Sequence, residues 1–255
     1  MDVVVLLKQV PDPVEELEIA SSGKAIDRER TRFVVSEADA HALEEAVLLK
    51  ERYGGAVTAI TLDIGEADDA LYAAIARGAD RAVKVVGEFP QFLESHQMAR
   101  AFAKVVQGVK HDLVLAGCQA IDDLDGQPGA ILAGYMGLPY VSVVTQVQVE
   151  APDRAIVSKD LPGGVVMQLR VRLPAVVGVQ SAEQPPRYVP VSKVRQVMRS
   201  ATIEQVEVGA SFQSTVAVRG IHRPEPSRRA TMLQGGPDEV AGLVVQVLRE
   251  KGVLR

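Results

Sequence analysis

Val3–Leu7 is five apolar residues in a row, starting two residues into the chain. Further short apolar or β-branched runs follow at 56–62, Arg81–Val86 and 113–116, and a helix-like stretch lies between successive runs. Continuous apolar runs of this length fit strands buried on both faces. Their alternation with helices restricts the fold to βαβ units and a parallel sheet. The expected class is α/β, a doubly wound, mostly parallel sheet. Apolar residues make up 47% of the 255 residues, aromatics only 4%, and there is no Trp, as an aliphatic core of this kind requires.

The stop and start signals agree. Ser36-x-x-Asp39 resembles a capping box with Asp in place of Glu, ahead of a helix reaching about residue 53. Ala67–Arg77 is closed by Gly78, which suits a left-handed position. Ser95 is placed to cap a helix running to about residue 109, and 129–136 is a helix stopped by Gly137, with Pro139 beyond. Residues 15–28 read as a short hairpin around Ser21-Ser22-Gly23.

After residue 140 the pattern changes. Residues 141–149, 155–159 and Val165–Arg172 alternate or are β-branched, with short turns between them, and predict an antiparallel meander over about 141–172. Residues 174–180 give one more apolar strand, returning to the main sheet. From about Ser181 the chain carries Pro185, Pro186, Pro190, Pro224 and Pro226, which predict an extended arm needing a surface to lie on. A terminal helix is expected over 237–251, with Pro237 in its first turn and Val240, Leu243, Val244, Val247 and Leu248 on one face.

Residues 112–133, DLVLAGCQAIDDLDGQPGAILA, carry the functional signal. An apolar strand enters a Gly- and Asp-rich loop that opens a helix near Pro128. A loop presenting backbone N–H groups at a helix N-terminus is an anion site, typically for phosphate. The segment has no Lys, Arg or His, so it is suited to holding a nucleotide rather than breaking one. In an open α/β sheet, ligands sit outside the carboxyl ends of the strands, where Leu7-Lys8-Gln9, Thr61-Leu62-Asp63 and Gly117-Cys118-Gln119 all fall. Lys8 there is either a ligand contact or half of a surface ion pair. The domains expected are therefore 1–183, a nucleotide-binding α/β domain that includes the meander, and 184–255, an extended arm with its terminal helix, to which the resemblance given below adds partner binding.

Other chemistries lack their residues. No Walker-type GxxxxGK[ST] is present, and no GxGxxG follows the first strand. His41, His96, His111 and His222 lie in no catalytic motif and read as surface or capping residues. Asp122, Asp123 and Asp125 lack EF-hand spacing and suit caps and turns, so no metal site is expected. Cys118, the only cysteine, excludes an internal disulfide and a Cys-rich cluster and reads as a small buried thiol. A net charge of −5 disfavours general nucleic-acid binding. No run approaches the ~18 apolar residues of a membrane span and no leader pattern opens the chain, so a soluble, cytoplasmic protein is expected.

Six fragments, in order, resemble the beta subunit of the electron transfer flavoproteins: LLKQVPD, SEADAHALEEAVLLKE, ALYAAIARGADRAVKV, DLVLAGCQAIDDLDGQPG, LRVRLPAVVGV and PPRYVPVSKV. The resemblance covers nearly the whole chain. It implies a Rossmann-like, adenine-nucleotide hydrolase-like fold and a heterodimer with an alpha subunit. That partner holds most of a redox FAD, which the beta subunit clamps while burying an AMP. It also implies electron donors that are flavin dehydrogenases, an acceptor such as a quinone reductase, and no catalytic residues of the chain's own. By the same resemblance the nucleotide is lined by Leu6, Ser36, Asp39, Leu62, Ala120, Asp123, Gly126, Gln127, Pro128 and Gly129. The arm docks partners through the segment containing Tyr188, Val191, Lys193 and Arg195.

Several positions depart from the family pattern. Cys118 replaces its Lys or Arg, Ser36-Glu37 its Asn-Pro, and Val191 stands near the place of its usual docking leucine, with one residue apparently inserted before Met198. Pro128 has no N–H to give a phosphate, a loss of about 1.5–3 kcal/mol for a charged acceptor. The pocket thus stays open between AMP, the second FAD of the electron-bifurcating type, and no tightly held nucleotide. An ATP-using enzyme of the related superfold and a stand-alone universal-stress-type nucleotide-binding protein are the alternatives from other classes. Arg187, Lys193, Arg195 and Arg199 cluster, and Arg219, Arg223, Arg228 and Arg229 follow. On an acidic chain this suggests a partner-facing surface.

Overall fold

Strand β1 (Val3–Leu7) is buried along its length and runs into a short antiparallel ladder, β2 (Gln9–Pro11) on β3 (Phe33–Val35), with Gln9 opposite Val35. Helix α1 (Glu37–Tyr53) then returns the chain to β4 (Val57–Leu62), α2 (Ala67–Arg77) to β5 (Arg81–Val86), and α3 (Ser95–Val106) to β6 (Leu113–Gly117). Helix α4 (Pro128–Met136) leads to β7 (Tyr140–Val144), followed by β8 (Gln146–Ala151), β9 (Arg154–Leu161), β10 (Val165–Arg172) and β11 (Ala175–Val179). Helix α5 (Val191–Ser200), β12 (Glu204–Glu207) and α6 (Pro237–Glu250) complete the order. The computed structural model describes all residues except 91–92, 124–125, 210–215, 225–229, 231 and 255. Asp125, Pro226, Arg228 and Arg229 therefore lie outside the described residues.

The chain divides into two units, Met1–Ile221 and His222–Arg255. In the first, seven strands form one sheet in the order β12-β5-β4-β1-β6-β11-β7, with every neighbouring pair parallel. Alternate side chains of β1 serve opposite faces. Val3, Val5 and Leu7 pack with Leu43, Val47 and Leu49 of α1 and Leu71 of α2. Val4 and Leu6 pack with Met98 and Phe102 of α3 and Leu132 of α4. Helices on both faces make the sheet doubly wound, as the alternation predicts. The strand order reverses between β1 and β6, so the crevice outside their carboxyl ends is the topological switch point where such sheets bind ligands.

The elements differ from expectation in four places. Residues 141–149 form two strands, not one. The first, β7, joins the main sheet in parallel with β11, and only β8, β9 and β10 form an antiparallel sheet. Val143, inside β7, sits at φ 62°, a conformation L-residues avoid, where the register of β7 on β11 shifts. The 15–28 hairpin reduces to one bridge, Ile19 to Ile26. Glu94, not Ser95, precedes the first turn of α3, and its backbone N–H donates to Gln97 Oε1 at 3.2 Å. The proline-rich region is not simply extended. Pro190 immediately precedes α5 and its carbonyl accepts from the Lys193 N–H at 2.9 Å, and β12 extends the sheet beside β5.

In the second unit, α6 opens on Pro237, which lacks the N–H a first helical residue would leave unused. Glu239 Oε2 accepts from the Gly236 N–H at 3.0 Å. Leu243, Val244 and Val247 on this helix are exposed. Among the described residues, no helix is long and apolar enough to cross a membrane.

Candidate functional site

Asp39 ties the switch point together. It lies in the first turn of α1, buried. Its carboxylate accepts from the backbone N–H of Lys8, just past β1, at 3.0 Å, and from that of Gly117, at the end of β6, at 2.6 Å. The sequence assigned it to a capping box. Instead Ser36 precedes the helix without a side-chain cap bond, and Asp39 satisfies the backbone donors left where β1 and β6 part. Gly117 is required by this approach, since a Cβ there would stand 2.7 Å from Asp39 Oδ1 and 2.8 Å from Ala38 Cβ. Burial pushes the Asp39 carboxyl up to about 7, against the pull of the two N–H groups and of Lys8.

Lys8 is the cation of this crevice. Its Nζ lies 2.6 Å from Asp122 Oδ1 and also pairs with Asp123, which is only 6% exposed. Asp123 in turn accepts from the Ala120 N–H at 2.8 Å, so the loop is folded around the lysine. Burial works against the Lys8 ammonium, but Asp122 and Asp123 more than reverse it and raise its pKa. Of the two readings of Lys8, the ion pair is realised, with two partners and largely out of water. Lys8→Met is expected to cost about 1–3 kcal/mol, because Asp123 keeps its burial and loses its counter-charge. Urea unfolding measures this, and a variant within about 0.5 kcal/mol of wild type would refute it.

Two cavities adjoin this crevice. A recess of about 20 Å³ is lined by Leu6, Asp39, Ala120, Asp123 and Pro128, among others. Lys8, Met98, Phe102 and Asp123 also line a much larger cavity of about 530 Å³, which Leu62 borders as well. Six of the ten expected nucleotide residues thus line one or other of two cavities that share Lys8, Met98, Phe102 and Asp123 as walls. Ser36, Gly126, Gln127 and Gly129 line neither cavity. Gly126 turns the chain at φ 63°, and Pro128 opens α4. The sequence placed Leu7, Lys8, Gln9, Thr61 and Leu62 of the large cavity's wall at the ligand edge of the sheet, and missed most of the rest, including Phe33, Ile64 and Leu93.

Cys118 is half-buried, and burial pushes its thiol up, so it stays protonated near neutral pH. Among the described residues, no group of three or more His, Cys, Asp or Glu could hold a metal ion.

The expected docking residues are exposed. Tyr188 is 85% exposed, and Val191, Lys193 and Arg195 are exposed on α5. Arg187 does not belong with them. It turns inward onto α1, where its guanidinium meets both oxygens of Glu44 at 2.8–3.0 Å and Glu51 at 2.7 Å. The same helix holds the rest of the arm's base: the Ala182 N–H donates to His41 Nδ1 at 3.1 Å, and the Glu183 N–H to Glu45 Oε2 at 3.3 Å.

Comparison with known proteins agrees with this geometry. Residues 24–211 match the electron transfer flavoprotein domain. The chain is 30% identical to the electron transfer flavoprotein subunit beta of Methylophilus methylotrophus over 98% of both chains. It is 28% identical to that of Thermoanaerobacterium thermosaccharolyticum over the whole of both. With the beta subunit of Clostridium acetobutylicum it shares 35% identity over 76% of this chain and 74% of the relative. With its parallel sheet, its crevice at the switch point and matches that run from end to end, the chain belongs to the electron transfer flavoprotein family.

Proposed function

We propose that the chain is the beta subunit of a heterodimeric electron carrier. It buries an adenine nucleotide, AMP, at the switch point, covers the FAD held mainly by an alpha subunit, and receives flavin dehydrogenases on the segment around α5. The observation that carries this reading is the pair of adjoining cavities outside β1, β4 and β6, bordered by Leu6, Asp39, Leu62, Ala120, Asp123 and Pro128. Apolar walls with a few converging polar groups are what a cofactor site requires. The phosphate would meet the backbone of 126–129 at the start of α4, a helix with no side-chain cap to compete for its N–H groups. Pro128 removes one donor from that set.

FAD, when bound, supplies the electron-carrying chemistry. This chain's residues bind, orient and exclude water, and none is asked to move a proton. Transfer to an acceptor such as a quinone reductase then depends on docking. The bifurcating alternative, a second FAD in place of AMP, draws support from the cavity of about 530 Å³ that adjoins the recess. Co-expression with an alpha subunit should give a yellow heterodimer. Denaturing it and weighing the released nucleotides should yield one FAD and one AMP. Two FAD would replace AMP with the bifurcating reading, and a colourless homodimer without adenine nucleotide would overturn both.

A further inference from the structure

Helix α5 is held by its flanks. It lies against α2 but buries no side chain of its own, and a helix of ten residues is too short to persist alone. Before it, three residues away, Arg187 grips Glu44 and Glu51 of α1. After it, three residues lead to β12. Three residues reach at most about 11 Å, so whatever fixes β12 fixes the end of α5. β12 is fixed through both faces of the sheet edge. Ile203, just before it, packs in the layer with α1 and α2, while Val206 and Val208 pack in the layer with α3. Val208 is the deepest of them, only 6% exposed. Its N–H donates to the Val86 carbonyl at 3.0 Å, and its own carbonyl accepts from Lys104 Nζ at 2.6 Å. Gly87 leaves room for its side chain, since a Cβ there would stand 3.1 Å from Val208 Cγ2. At the other end of the strand Arg81 donates twice to Glu204, at 3.1 and 2.9 Å, with both side chains about half exposed. Water screens that pair, so the buried valine carries more of the hold.

We propose that Val208 is a positioning residue for partner docking: buried in the core, it sets where the exposed groups of α5 stand without touching the partner itself. This rests on the reading that the segment around α5 receives flavin dehydrogenases. Val208→Ala removes two buried methyl groups and loosens β12 on β5. The exposed side chains of α5 keep their chemistry and lose their fixed place. A partner must then order the helix as it docks, which lowers affinity. The flavin's surroundings stay as they are, so the dehydrogenase's KM for the carrier rises while kcat holds.

The test uses the heterodimer with its alpha subunit. It combines hydrogen exchange by mass spectrometry over 191–200 with reduction by a flavin dehydrogenase that accepts the wild-type heterodimer, followed by bleaching of the yellow flavin. Val208→Ala should speed exchange over 191–200 by about tenfold and raise KM by about threefold or more, with kcat within about twofold. Val176→Ala is the control. It removes the same two methyl groups from the same core layer, but on β11, five strands along the sheet from β12. It should leave exchange over 191–200 and KM within about twofold of wild type. Lys193→Glu/Arg195→Glu reverses two exposed charges of α5 and tests docking itself, and KM should rise by more than about threefold. If the charge reversal leaves KM unchanged, the docking reading falls and this inference with it. If the reversal raises KM but Val208→Ala moves exchange or KM by less than about twofold, or Val176→Ala moves them as far, Val208 loses the role and the docking reading stands. Should Val208→Ala fail to fold, Lys104→Met, which removes the bond to the Val208 carbonyl, takes its place. It should speed exchange over 191–200 by at least about twofold, and a smaller change overturns the proposal.

Discussion

From about pH 4 to about pH 7.5, the wild-type chain is expected to lose on the order of 4 kcal/mol of stability relative to an Asp39→Asn variant. Asp39 has a folded pKa of about 7 against an ordinary value of 3.8, chiefly because burial disfavours its charge. In that window the folded chain holds a proton that the unfolded chain releases. Stability from this group is therefore full below about pH 4, falls as pH rises, and levels off above the folded pKa. Asparagine resembles the protonated acid in shape and has no charge to bury, so its curve lacks this slope. Urea titrations of both proteins at several pH values measure the difference, which should be small in acid and grow toward neutrality. Parallel curves would mean that the Asp39 carboxylate is better solvated or better paired than its two N–H contacts and Lys8 indicate. A group that weakens the fold at neutral pH, at the floor of the crevice, belongs to the class of perturbed residues that gather at functional sites.

Legibility in the sequence followed how local each signal is. Val3–Leu7 and Arg81–Val86 appear with the bounds read from the chain alone, because a strand buried between two helix layers writes an unbroken apolar run. Ala67–Arg77 was equally clear, its end marked by Gly78 at φ 131°. The split after Val144 was not legible, since β7 and β8 share one alternating pattern and differ only in which sheet they join. β12 is invisible for a related reason. Glu204, Gln205 and Glu207 are polar, as an edge strand permits, and only pairing with β5 makes them a strand. Helix α5 hid behind Pro190, read as a breaker although a proline at a helix start costs nothing. The site follows the same rule. Leu6, Asp39, Ala120 and Asp123 came from motif-bearing segments, whereas the clasp of Lys8 on Asp122 and Asp123 joins residues 114 and 115 positions apart.

The second large effect concerns the arm. Arg187→Ala is expected to destabilise the segment from 182 to 200 by about 2–4 kcal/mol, below the 3–5 kcal/mol typical of a fully buried broken pair. Glu44 is 4% exposed and would keep its burial while losing the guanidinium, keeping the residue-187 backbone N–H, which donates to it at 2.9 Å, and the more distant charge of Arg77. The discount reflects Arg187 at 32% and Glu51 at 52% exposed, where water screens the pair. Because α5 has no buried residue, the arm can release locally before the sheet unfolds, which limits the loss seen in global unfolding. Hydrogen exchange by mass spectrometry should therefore show faster exchange over 182–200 with little change in β1, β4 and β6. The double variant Glu44→Met/Arg187→Met removes the stranded charge and should exchange more slowly than Arg187→Ala. If α5 docks partners, Arg187→Ala should slow electron transfer from a flavin dehydrogenase by raising KM more than it lowers kcat, since the arm's position changes and the flavin's surroundings do not. Unchanged exchange over 182–200 in Arg187→Ala would show that the remaining bonds, from Ala182 to His41 and from Glu183 to Glu45, suffice to hold the arm on α1.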